Sequence, residues 1–216
     1  MSIRTAIIED NEMIRKTLML VLQTEHDIEC IGAYANAEQA LADLPGVQPP
    51  HVLLVDLALP GMSGLDCVHR VMGWTLRPQV VMLTGSDDED SILKCIASGA
   101  CGYLLKPVHA HQIVSAVREA ASGGSPMSAG VTKSMVNFLQ KQRCNPDAAK
   151  LRPLPELSSQ ENRILHHIVQ GSLYKEIADS LGISESTVRT HVQRIYHKLN
   201  VHSRSQAVAK VMGIHN

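Results

Sequence analysis

The chain has 216 residues, of which 44% are apolar, and a net charge of -1; these ordinary values exclude a fibrous or intrinsically disordered protein. No run approaches the roughly 18 apolar residues needed to span a bilayer, and no basic, apolar leader opens at Met1-Ser2-Ile3-Arg4, so the expected location is cytoplasmic with no membrane partner. Charge is uneven along the chain: residues 1–122 carry 8 basic and 15 acidic side chains, residues 123–152 carry 5 and 1, and residues 153–216 carry 7 and 5. An acidic front and a basic rear predict two domains with different partners. The five cysteines (Cys30, Cys67, Cys95, Cys101 and Cys144) are odd in number and show no metal-ligand spacing, which predicts free thiols.

Apolar runs at residues 6–8, 28–33, 52–55, 80–83 and 102–105 read as strands, alternating with stretches whose apolar residues recur every three or four positions. Leu18, Val21 and Leu22 form one such helical stripe; Ile92, Cys95 and Ile96 form another, and Ile113, Val117 and Ala120 a third. Five βα alternations in about 120 residues predict a doubly wound parallel sheet covered by helices, because parallel strands need crossover connections. Four strands end in groups able to do chemistry: Glu9 and Asp10 after the first, Asp56 after the third, Thr84 after the fourth and Lys106 after the fifth. In such a sheet the carboxyl ends share one rim, where ligands bind.

Clustered carboxylates repel one another unless a hard cation sits among them, so Glu9, Asp10 and Asp56, with the Ala58 carbonyl, are candidate Mg2+ ligands. Asp56 can attack phosphorus, Lys106 can neutralise phosphoryl oxygens, and the Thr84 hydroxyl can donate to one of them after transfer; Tyr103 is a candidate reporter of that movement. The stretches Ile7-Ile8-Glu9-Asp10-Asn11, Val55-Asp56-Leu57, Pro60-Gly61-Met62-Ser63-Gly64, Leu83-Thr84-Gly85 and Lys106-Pro107 resemble the receiver domain of two-component response regulators over about residues 3–121. The resemblance implies a flavodoxin-like fold, Mg2+-dependent phosphotransfer from a sensor histidine kinase to Asp56, a switch position at Tyr103 and often a cis bond before Pro107. Gly73-Trp74-Thr75-Leu76-Arg77 departs from the family pattern.

Gly123-Gly124-Ser125-Pro126 and Arg152-Pro153-Leu154-Pro155 are loop sequences. They divide the chain into a receiver at 1–122, a linker at 123–152 and a small all-α domain at 153–216. Within the linker, Val131, Met135, Phe138 and Leu139 share a face of a possible short helix over residues 131–141. Four helices are expected in the last 60 residues or so. Ser159 is the expected cap of the first, over the stripe Ile164, Leu165, Ile168 and Val169, and Gly171 its stop. A second runs from 174 to 181, Gly182-Ile183 makes a tight turn, and Ser184 caps a third that reaches about residue 199. Two helices joined by such a turn have the form of a helix-turn-helix. Val188, Val192, Ile195 and Leu199 supply the buried face of the third helix, leaving Arg189, Thr190, Gln193, Arg194, His197 and Lys198 opposite. These side chains suit phosphates and base edges. His166 and His167 read as helix-surface residues rather than ligands.

Leu157-Ser158-Ser159-Gln160-Glu161, Lys175-Glu176-Ile177-Ala178, the segment from Leu181 to His191 and Ile195-Tyr196-His197-Lys198-Leu199 resemble the LuxR-type DNA-binding domain of the NarL/FixJ subgroup. Gln160 and Tyr174 depart from its usual residues. The resemblance implies that Arg189, Thr190 and Gln193 face bases and that Lys175, Ser186, Thr187 and Lys198 contact the backbone of double-stranded DNA. The expected protein is a transcriptional regulator and not an enzyme, with at most slow autodephosphorylation. Phosphorylation would expose the recognition helix and favour a homodimer, for which the last helix, with Ala207, Val208 and Val211 on one face, is a candidate surface. The alternative is a phosphorylation-independent regulator or interaction module retaining the receiver fold.

Overall fold

The computed structural model describes residues 2–46, 49–85, 89–132 and 157–211. Five strands, β1 (Ile3–Ile8), β2 (Ile28–Tyr34), β3 (Val52–Asp56), β4 (Gln79–Thr84) and β5 (Gly102–Leu105), form one sheet. All pairings are parallel and the order is β2-β1-β3-β4-β5. The connecting helices are α1 (Glu12–Gln23), α2 (Ala37–Asp43), α3 (Gly64–Met72), α4 (Glu89–Ser98) and α5 (Ala110–Ala121). The doubly wound sheet expected from the alternation is therefore present. Each strand is a residue or more longer than its apolar run except β5, because polar ends such as Asp56 and Thr84 still complete the ladder.

Period-2 alternation sends successive side chains to opposite faces. Ile8, Leu53, Val55, Val80 and Met82 face α2, α3 and α4, whereas Ile7, Leu54, Val81, Leu83 and Leu104 face α1 and α5. Both faces are apolar, which explains why β3 reads as an unbroken Val-Leu-Leu-Val run with every residue buried. The edge strand β2 is only partly buried beyond Ile28.

Four helices, α6 (Ser159–Val169), α7 (Tyr174–Leu181), α8 (Glu185–Leu199) and α9 (Arg204–Val211), enclose a separate core. The cap of α6 is Ser158, one residue earlier than expected. Its hydroxyl accepts from Glu161 N (3.3 Å), and the Glu161 carboxylate accepts from Ser158 N (2.7 Å). This reciprocal box needs Ser and Glu three residues apart, a spacing that Ser158 meets and Ser159 does not. Gly182 ends α7 in the left-handed region (φ 64°), and Ser184 caps α8 by accepting from Thr187 N at 3.1 Å. Ala207 is fully buried and Val211 packs against the same core, so these two positions of α9 serve the domain interior. Of the expected linker helix, residues 131 and 132 are helical and 133–141 lie outside the described residues, as do Cys144 and residues 152–155. Among the described residues no helix is long and apolar enough to cross a membrane.

Two predictions follow from this packing. A Cβ at Gly64 would lie 2.2 Å from the Asp56 carbonyl oxygen and 2.9 Å from the Leu57 Cα, so Gly64→Ala must push apart the loop that carries Asp56. It should lower stability by about 1–3 kcal/mol in urea unfolding. Lys198, followed by the Ser158 backbone N–H, lowers the Glu161 carboxyl to about 2. A depressed carboxylate contributes stability that is present above its unfolded value and lost as pH falls through its folded value. Thermal melts should therefore show the α6–α9 unit weakening from about pH 4.5 toward pH 2, and Glu161→Gln should flatten that decline.

Candidate functional site

The carboxyl rim of the sheet gathers residues distant in sequence. Glu9 and Asp10 follow β1, Asp56 ends β3, Thr84 ends β4, and Lys106 follows β5. Lys106 Nζ donates to Glu9 Oε2 at 2.7 Å and lies 3.0 Å from Asp56 Oδ2. Register explains the meeting: Asp56 pairs with Leu83, and Lys106 N donates to the Thr84 carbonyl at 2.7 Å, which sets Lys106 beside the ends of β3 and β4. The Lys106-Pro107 bond is cis, as expected.

Glu9 and Asp56 are buried and Asp10 is exposed, so the pocket has a closed floor and one solvated carboxylate. Burial, opposed by the hydrogen bond from Lys106 and reinforced by Asp56, raises the Glu9 carboxyl above its ordinary range. For Lys106, burial alone would lower the ammonium, but Glu9 and Asp56 outweigh it and the net shift is upward. One ammonium thus faces two buried carboxylates, and local negative charge remains.

One carboxylate oxygen from each of Glu9, Asp10 and Asp56 lies within 4.8 Å of the others. Among the described residues, Glu9 Oε1 is buried with no hydrogen-bond partner. A buried carboxylate oxygen left unpaired is costly, and hard oxygen donors at this spacing fit a divalent cation such as Mg2+. The Asp56 carboxylate accepts from Ala58 N at 3.4 Å, which places Ala58 next to the pocket.

Further residues position the pocket. Arg15 Nη1 donates to the Glu9 and Asp10 carbonyls at 2.7 and 3.0 Å, and Asn11 caps α1 by accepting from Met13 N and Ile14 N. Glu38 Oε1 accepts from Met62 N at 2.9 Å, holding the loop after β3. Thr84 is buried. Tyr103 is fully buried, and among the described residues its hydroxyl has no partner of hydrogen-bonding geometry.

The other candidate site lies on α8. Val188, Val192, Ile195 and Leu199 are buried, while Ser186, Thr187, Thr190, Gln193, Arg194 and His197 are exposed, as is Lys175 on α7. Two side chains expected to face DNA are engaged within the protein. Lys198 Nζ lies 2.7 Å from Glu161 Oε2. Arg189 Nη2 donates to the Ala121 carbonyl at 2.5 Å and to Glu185 at 2.7 Å, with its guanidinium 5.1 Å from the Tyr174 ring centroid. Ala121 ends α5, so α8 is docked against the sheet domain.

The docking has three further supports. Tyr174 N donates to the Ser122 carbonyl at 3.1 Å, and Arg77 Nη1 lies 3.2 Å from His202 Nδ1. Arg204 donates to the carbonyls of Gly123, Ile168 and Ser172 at 2.7–2.9 Å. The segment 73–77 that departs from the family pattern therefore borders the helical domain. His166 and His167 pair with Gln170 and Ser180, consistent with surface roles.

Comparison with known proteins agrees with both halves. Residues 5–118 match the model described as "Response regulator receiver domain", and residues 155–211 match "Bacterial regulatory proteins, luxR family". The chain is 33% identical over 205 residues to the transcriptional regulatory protein LiaR of Bacillus subtilis, covering 95% of this chain and 94% of that one. It is 31% identical to the nitrate/nitrite response regulator NarL of Escherichia coli, with 95% and 93% covered. A solved structure of the response regulator RcsB from Salmonella typhimurium superposes with a TM-score of 0.59 over 98% of both chains at 17% identity, a likeness of fold. With a receiver, a LuxR-type helix-turn-helix and these relatives across nearly its whole length, the chain belongs to the NarL family of DNA-binding two-component response regulators.

Proposed function

We propose that Asp56 accepts a phosphoryl group from a sensor histidine kinase and that this change controls access of α8 to DNA. The supporting observation is the convergence of Asp56, Glu9, Asp10 and Lys106 at one rim. An Asp56 carboxylate oxygen attacks phosphorus, the bond to the donor's imidazole nitrogen breaks, and the imidazole leaves with the electron pair. Lys106, already 3.0 Å from Asp56, offers its ammonium to the transferring oxygens. The Thr84 hydroxyl donates to one of them afterwards, and Tyr103 follows that movement. Glu9, Asp10, Asp56 and the Ala58 carbonyl are the proposed Mg2+ ligands; the bound cation supplies neutralisation of phosphoryl charge.

The proposed division is a receiver at 1–122, a linker at 123–152 and a DNA-binding unit at 153–216. In the docked arrangement Arg189 is tied to Ala121, and DNA binding requires its release. The phosphoryl group adds about 1.5 to 2 negative charges to a pocket holding one ammonium. A full switch from 1:99 to 99:1 would need roughly 5.5 kcal/mol of difference between the two arrangements. Once released, Arg189, Thr190 and Gln193 read bases, with Lys175, Ser186 and Thr187 on phosphates. Lys198 reaches a phosphate only by leaving Glu161. The active form is a cytoplasmic homodimer on half-sites about 10 to 10.5 base pairs apart. The family is regulatory rather than classically enzymatic, and slow autodephosphorylation is the only turnover proposed.

The decisive experiment incubates the full chain with Mg2+ and radiolabelled acetyl phosphate. Label should appear on the wild type and be absent from Asp56→Asn. Label retained by Asp56→Asn, or none on the wild type even with its kinase, sinks the phosphoacceptor reading in favour of a phosphorylation-independent regulator. For the output, Arg189→Ala should relax preference at one base position, by about 1–3 kcal/mol of discrimination, in a selection from random duplexes. An unchanged preference removes Arg189 from the base-reading set.

A further inference from the structure

A cleft of about 530 Å³ lies between the sheet domain and α8. It sits at the end of the sheet opposite Asp56: its walls include Arg4 on β1, His51 just before β3, Gln79 at the start of β4 and the loop 73–78. Across from these stand Arg189, His197 and His202. Three arginines and three histidines thus line one space with no lining Asp or Glu.

The charge is poorly compensated. Arg189 is paired with Glu185, but among the described residues the Arg4 guanidinium bonds only the Pro49 carbonyl and the Arg77 guanidinium only His202. Arg4, Arg77 and Arg189 are all half-buried, so bulk water screens them incompletely. Burial, followed by Arg4 and Arg189, lowers the His51 imidazole. Burial, followed by Arg77 and His69, does the same for His202. These two rings therefore contribute hydrogen-bonding nitrogens rather than further charge. Half-buried arginines lining one cavity offer fork-shaped donors for phosphate oxygens, and the volume falls in the usual range for small-molecule sites.

We propose that this cleft binds a small phosphate-bearing anion, held from one side by Arg4 and Arg77 and from the other by Arg189. The site exists only while α8 lies against the sheet domain, so the ligand stabilises the docked arrangement and withholds Arg189 and Gln193 from DNA. By linkage, whatever undocks α8 weakens the anion by the same factor that the anion opposes undocking. That regulatory consequence rests on the reading of Asp56 and α8 above; binding itself does not.

Isothermal titration calorimetry of the full, unphosphorylated chain with sodium pyrophosphate and with ATP, in EDTA at low salt, tests the site without engaging the acidic pocket. Both anions should bind. Arg77→Gln should weaken each by at least tenfold, as loss of a charge-assisted hydrogen bond does, and Arg4→Gln should act similarly. Arg118→Gln, on α5 and paired with Glu25 and Asp27, should leave binding unchanged. Arg77 lies in a loop between α3 and β4, so its variant keeps the test decisive if Arg4→Gln fails to fold. Tighter binding of ATP extends the ligand beyond its phosphates and equal affinity confines it to them; both support the site. No heat with either anion, or affinities unaltered by Arg77→Gln, overturns it.

Discussion

The contact of one ammonium with two buried carboxylates governs the receiver half of this molecule. Lys106, Glu9 and Asp56 come from segments 50 and 97 residues apart and meet at 2.7–3.0 Å. Breaking one side of such a buried set leaves uncompensated charge, at a cost of roughly 3–5 kcal/mol. The sheet must therefore deliver three strand ends to the same point with little tolerance, and its order does so by placing β1 next to β3 and β3 next to β4. Because negative charge is left over, the pocket favours a cation and resists more anionic charge without one. In the proposed phosphotransfer, a phosphoryl group arriving there adds still more negative charge to the pocket.

One strand runs from the acidic pocket to the contact between the two halves. Asp56 ends β3, and His51 precedes its first residue and lines the cleft beneath α8. Five residues at about 3.3 Å each separate the two ends by roughly 17 Å. His51 also exchanges backbone hydrogen bonds with Arg4 and Gln79 at 2.8 Å, so the cleft wall is an extension of the sheet. The acidic pocket lies at one end of these buried strands and the contacts with the helical unit at the other. Among the described residues, the buried Tyr103 hydroxyl has no partner of hydrogen-bonding geometry.

Much of this was legible in the amino-acid order. Unbroken apolar strands, βα alternation and polar residues at strand ends were enough to expect the sheet and to bring Asp56, Glu9 and Lys106 together. The turn at Gly182 and the cap at Ser184 were readable because each rests on a local interaction. What escaped depended on long-range geometry. Glu38 reaches across 24 residues to hold the loop after β3, and a lone helix glutamate gives no hint of it. Arg189 and Lys198 read as DNA-facing from helix periodicity, yet periodicity cannot reveal that Ala121 and Glu161 occupy them. The segment 73–77 was unreadable for the same reason: its partner, His202, is 125 residues from Arg77.

Arg204 has a consequence for how the two halves part. It is 9% exposed and, among the described residues, meets three carbonyl oxygens and no carboxylate. Carbonyl dipoles do not titrate, and a shielded cation is little affected by dissolved electrolyte. Acidification and ionic strength therefore act weakly on this one contact, and in the proposed release Arg204 stays seated on Ile168 and Ser172 of its own unit and gives up Gly123.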